Sequence, residues 1–178
     1  MSKLYFFVAA LLVPFYTFAQ STPTTKTESL KIEWPESDHW KVGKDLSDTR
    51  MHSVDMVHEN ESLALWTEMA NSTSLKGMLY IPVDTAMYFM FLSAIAKAPD
   101  AKLTLVKKGE MQECPWILFS IEAPEFKTDP IPESQLWFIV QGKQGLYTNF
   151  VALKKEKLLD DFLKKWTEFF LKTRLSYN

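Results

Sequence analysis

The chain has 178 residues, with 20 Lys and Arg against 22 Asp and Glu, a formal net charge of -2. That balance gives no basic footprint for nucleic acid and no Lys/Arg block for an anionic membrane surface, so neither partner is expected. A single cysteine, Cys114, leaves no intrachain disulfide to staple the fold, and stability must come from packing.

At the start of the chain, Lys3 precedes an uncharged apolar run from Leu4 to Tyr16. A run of this kind reads as the h-region of a secretory signal peptide. It is shorter than the about 20 apolar residues that a membrane-spanning helix needs. Thr17 and Ala19 offer small residues at a peptidase site, so residues 1–19 are expected to be removed, leaving Gln20 first and no stable membrane anchor. No cysteine lies near the cut to carry a lipid. A Gln directly after the Ala resembles signal peptides of Bacteroidetes-type bacteria, and the expected location is the periplasm or outside the cell.

Residues 20–29 are Ser, Thr and Pro with almost nothing apolar, a flexible leader. Residues 30–178 fit a single domain. Leu30 to Trp34 alternates apolar with polar, as a half-buried strand does, and Pro35 stops it. Trp40 to Val42, Met51 to Val57 and Ser62 to Glu68 read as further antiparallel strands between turn residues. Asn71-Ser72-Thr73 and Gly77 mark a loop, followed by a short extended segment from Met78 to Ile81.

Asp84 is placed to cap a helix running from Thr85 to Ala98, which Pro99 ends. Met87, Tyr88, Phe89, Met90, Phe91, Leu92 and Ile95 leave that helix hardly any polar face. It is therefore either packed within the domain, the first expectation, or covered by a partner. Leu103 to Val106 and Trp116 to Ile121 are strands around a charged turn at Lys107 to Glu110. Gln135 to Gln141 and Leu146 to Leu153 form a hairpin through Gly142-Lys143-Gln144-Gly145, whose glycines can adopt positive φ. Large side chains on both faces of the hairpin require both to be partly covered, one of them by helices. Finally, Leu158, Leu159, Phe162, Leu163, Trp166, Phe169 and Phe170 fall on one stripe opposite Asp160, Asp161, Lys164, Lys165 and Glu168, an amphipathic helix docked on a sheet.

Candidate chemistry is sparse. His52, Asp55 and His58 are of zinc-ligating types. On a strand, however, the two imidazoles share a face roughly 20 Å apart at ~3.3 Å per residue, and Asp55 points the other way. No metal is expected. No Gly-x-Ser-x-Gly elbow presents a nucleophile, and the five glycines are too scattered to cradle phosphate, so no cofactor is expected either. Glu59, Glu61 and Glu68 read as a solvated face rather than as paired glycosidase carboxylates. Cys114, followed by Pro115, Trp116, Ile117 and Leu118, reads as a small buried apolar side chain. The sequons at Asn60 and Asn71 are taken as incidental.

The element order is early strands, a helix ending at Ala98, four strands in meander, and a terminal helix containing Trp166-Thr167-Glu168-Phe169-Phe170. This resembles the Mog1/PsbP/DcrB-like group over about residues 30–175. The resemblance implies an α+β domain in which a curved antiparallel sheet is flanked by two main helices. It also implies no shared catalytic residues and a role in binding proteins. The leading expectation is accordingly an exported, non-enzymatic module that binds an envelope or extracellular protein, with an immunity or inhibitor protein for a secreted toxin as one form of it. The alternative is a carrier whose apolar ligand lies in a pocket of Met87, Phe91, Trp137 and Phe150.

Overall fold

The computed structural model describes residues 26–178. The expected signal peptide, residues 1–19, and most of the expected leader lie outside them. Among the described residues the fold is α+β: a seven-stranded antiparallel sheet, a separate two-stranded ribbon and two α-helices. The sheet contains β2 (Trp40–Ser47), β3 (Met51–His58), β4 (Glu68–Lys76), β5 (Lys102–Met111), β6 (Cys114–Ala123), β7 (Glu133–Gln141) and β8 (Gly145–Leu153), in the order β2-β3-β4-β8-β7-β6-β5. Two meanders thus meet where β4 pairs with β8. Helix α1 (Val83–Lys97) carries the chain from the sheet centre to the far edge, and α2 (Asp160–Phe170) follows β8. The ribbon joins β1 (Glu28–Lys31) to β9 (Arg174–Tyr177).

The helices lie on opposite faces, not on one as expected. Strand alternation explains this, because both sides of the central strands carry large apolar groups. One set, Ile117, Phe119, Ile121 and Ile139, packs with Val83 and Ala86 of α1. The other, Leu118, Leu136, Phe138 and Val151, packs with Phe162, Trp166 and Phe170 of α2. Trp166 and Phe170 are fully buried, each contributing about 1.5–3 kcal/mol of apolar burial. Around Trp166 stand Trp34, Trp40 and Phe169, with ring centroids 5.9, 6.0 and 5.0 Å away.

Several local expectations are corrected. The first strand is Glu28–Lys31, so the leader ends before residue 28, and it pairs with β9 instead of joining the main sheet. Trp40 to Val42 continues to Ser47 through a bulge between Val42 and Lys44. Ser62 to Leu65 is a turn, not a strand, while Asn71-Ser72-Thr73 lies in the middle of β4. Met78 to Ile81 forms no regular strand, and Tyr80 there has φ 59°. Lys107 to Glu110 continues β5; the turn falls at Gln112 and Glu113, both at positive φ.

Helix α1 begins without a side-chain cap. Asp84 sits in its first turn instead, where a carboxylate suits the helix dipole, and pairs with Lys108 at 3.1 Å. At the other end, Lys127 Nζ donates to the Ala96 carbonyl at 2.8 Å. The β7–β8 hairpin forms as expected, but Gly142 and Gly145 do not use positive φ. They are needed for close approach: a Cβ at 145 would lie 2.7 Å from the Leu75 carbonyl oxygen, and one at 142 would collide with the Glu28 carboxylate.

Candidate functional site

The four residues expected to bind all lie on the α1 face of the sheet. Met87 and Phe91 are half-buried against the core beneath α1, as is Trp137. Phe150 meets Trp137 at 4.6 Å between ring centroids, and Phe119 stacks on the far side of Trp137 at 6.2 Å. None of the four lines a described cavity; the largest lies on the opposite face.

What α1 leaves in solvent is more unusual. Only Val83 and Ala86 of this helix are buried, whereas Tyr88 is 54%, Phe89 58% and Leu92 36% exposed. The expected fully packed core helix is therefore not what forms within the described residues. An almost wholly apolar helix rests on the sheet by one stripe and presents the rest outward. An exposed aromatic group of this kind is a common signature of an interaction surface.

Beside α1, a single cross-strand row passes from apolar to polar. Phe119, Trp137, Phe150, Asn71, Asp55 and Lys44 are consecutive partners from β6 to β2. Strand pairing places them side by side on one face. The polar end is internally bonded: Asn71 Nδ2 donates to Asp55 Oδ1 at 2.7 Å, Thr73 Oγ1 donates to Asn71 Oδ1 at 3.0 Å, and the Ser53 and Thr73 hydroxyls lie 2.6 Å apart. The Asn71 sequon is thus buried in a strand. Trp137 Nε1 donates to Gln135 Oε1 at 2.7 Å, and Gln135 donates in turn to Glu133, which pairs with Lys154 at 2.9 Å. These bonds fix the indole plane of the half-buried side chain.

The remaining titratable candidates are separated. His52 Nε2 lies 3.0 Å from Asp45, whereas His58 bonds the Asp38 carbonyl at 2.7 Å, faces Glu68 at 3.5 Å and stacks on Trp40. Glu61 accepts from the Thr67 backbone at 3.0 Å. Among the described residues, no group of three His, Cys, Asp or Glu side chains is placed to hold a metal, and no helix is long and apolar enough to cross a membrane. Cys114 is buried, and burial with the nearby Glu28 charge pushes its thiol pKa up.

Sequence reasoning missed Glu28. Its buried carboxylate accepts from the backbones of Lys143 at 2.8 Å and Gln144 at 3.0 Å, and from the hydroxyls of Tyr147 at 3.2 Å and Tyr177 at 2.9 Å. One acidic residue in a Ser/Thr-rich leader carries no periodic signal. Gly142, whose missing Cβ admits the carboxylate, reads in the sequence as a turn residue alone.

No protein-family model matches the chain, and no curated protein matches it.

Proposed function

We propose that this chain is an exported, non-enzymatic binding module that engages an envelope or extracellular protein through the outer face of α1. The observation carrying this reading is the outward display of Tyr88, Phe89 and Leu92 on a helix whose inner stripe already satisfies the core. Aromatic side chains lose little rotamer entropy for the apolar area they bury, which suits them to anchor a partner. Half-buried Met87 and Phe91, with Trp137 and Phe150 alongside, would extend the contact onto the sheet. A likeness to the Mog1/PsbP/DcrB-like group is part of the proposal, supported by helices on a broad antiparallel sheet and by Trp166, Phe169 and Phe170 on α2. Export rests on the apolar N-terminal run with its small-residue cut site.

The test is capture from a periplasmic or culture-supernatant fraction by mature protein beginning at Gln20, beside the Phe89→Ser and Tyr88→Ser variants. A stoichiometric partner held by the parent and lost by both variants is expected. Equal capture by all three proteins would place recognition elsewhere.

A further inference from the structure

On the face opposite α1, a cleft of about 570 Å³ opens between the segment from Thr27 to Trp34 and strands β3, β4 and β8. Its size falls within the roughly 300–1,000 Å³ typical of small-molecule sites. Leu30, Ile32 and Trp34 alternate toward the sheet as a roof. The roof is held by the four-residue pairing of β1 with β9 and by the Glu28 carboxylate.

The floor is graded. Successive side chains on one face of β3 and β4 run from the exposed His52, beside Ser74, through half-buried Val54, beside Ser72, to buried Met56, beside Ala70. Four residues of strand separate the first pair from the last, about 13 Å at ~3.3 Å per residue. The outer end offers hydroxyl and imidazole groups, and the inner end is floored by the apolar side chains of Val54 and Met56. A site with this polarity fits a molecule with one wet end and one dry end.

Charge at the mouth narrows the head group. His52 is held by Asp45 at 3.0 Å. Asp48 Oδ1 accepts from the backbones of Arg50 and Met51, at 2.7 Å each. Glu28 already has its four donors. Among the described residues, Lys76 is the one Lys or Arg of the lining, against the acidic Asp48 and Glu28. An anionic head would meet those carboxylates and a cationic head would meet Lys76, while a hydroxylated neutral head meets serines and an imidazole.

We propose that this cleft binds a small uncharged amphiphile, its apolar end over Val54 and Met56 and its hydroxyl-rich head at His52 and Ser74. The site is independent of the α1 surface. It moves the carrier expectation from the Met87, Phe91, Trp137 and Phe150 face to the other side of the sheet.

The probe is octyl glucoside below its micelle concentration, titrated calorimetrically into the mature chain, with octanoate and octyltrimethylammonium in parallel. Saturable one-to-one binding is expected for the glucoside, at least tenfold tighter than for either charged analogue. Ile32→Glu in the roof and Ser72→Trp in the floor are each expected to weaken it at least tenfold while retaining the parent circular dichroism spectrum. Phe89→Ser should bind like the parent. Absence of saturable glucoside binding, preference for a charged analogue, or unchanged affinity in folded Ile32→Glu would each overturn the proposal. Should both cleft variants misfold, loss of binding in Phe89→Ser overturns it, and in an NMR titration of the parent with the glucoside saturable shifts of the Ser74 and Val54 amide cross-peaks are expected, their absence overturning the proposal.

Discussion

The Glu28 carboxylate occupies the space that a Cβ on residue 142 would fill. Gly142 and Glu28 are therefore two halves of one contact. Gly142→Ala must expel the carboxylate from its donors, and Glu28→Gln turns an amide NH₂ toward a backbone N–H that can only donate. Each substitution is expected to lower stability by about 1.5–3 kcal/mol, the range for hydrogen bonds to a charged group. Combined, they should lose clearly less than the sum, since both remove the same interaction. Urea unfolding of the four proteins measures this, and a Gly142→Ala variant as stable as the parent would refute the anchor.

The same carboxylate governs two tyrosines. Burial first, then the hydrogen bond and negative charge of Glu28, push the Tyr177 hydroxyl up to about 12; Tyr147 moves in the same direction for the same causes. In the unfolded chain both ionise near ~10. Between these limits the folded state holds more protons than the unfolded state. The tyrosine contribution is thus fully present below about pH 10 and is lost as pH rises through about 12. Absorbance at 295 nm should show the Tyr177 step moving to lower pH in Glu28→Gln, and in the parent the unfolding free energy should fall over that alkaline window.

Cys114 should react slowly. It is buried, and its thiol is pushed up by burial and by Glu28. Because the thiolate is the reacting species, a disulfide-exchange reagent near neutral pH should modify the native protein at least tenfold more slowly than the urea-unfolded chain. Equal rates would show that the β5–β6 end opens freely.

The two helices should answer differently to truncation. Trp166→Ala removes a fully buried indole from the α2 core, with an expected loss of about 3–5 kcal/mol. Phe89→Ser trims a ring that is 58% exposed and should shift stability by no more than about 0.5 kcal/mol. Thermal denaturation compares them. A large loss in Phe89→Ser would mean that this ring supports the fold rather than facing a partner.

Helix α2 was legible because its apolar stripe and charged stripe separate cleanly at helical spacing. The β7–β8 hairpin was legible from two apolar runs around Gly142 and Gly145, although the glycines serve close approach rather than backbone conformation. Strand β4 was not legible. Its Asn71-Ser72-Thr73 imitates a turn because both of its faces are polar there: Asn71 and Thr73 enter a bonded network, whereas Ser72 and Ser74 face the cleft. Hydrophobic alternation cannot report a strand in that setting. Apolar composition suggested burial for α1, but the sheet beneath it receives only one stripe. Glu28 was invisible for a different reason, since all its partners lie more than 100 residues away.

That distance bears on how the domain is made. Thr27 and Asn178 exchange two backbone hydrogen bonds, of 2.7 and 3.0 Å, so a segment near the beginning of the described chain is completed only by one near its end. Closing so long a loop is slow, because chain entropy is lost before any contact rewards it. During synthesis, residues 27–34 leave the ribosome early yet have no strand to join until β9 emerges. The roof of the cleft thus depends on a strand made after every other element of the described chain, and any small molecule held there would be enclosed by a pairing of two distant segments.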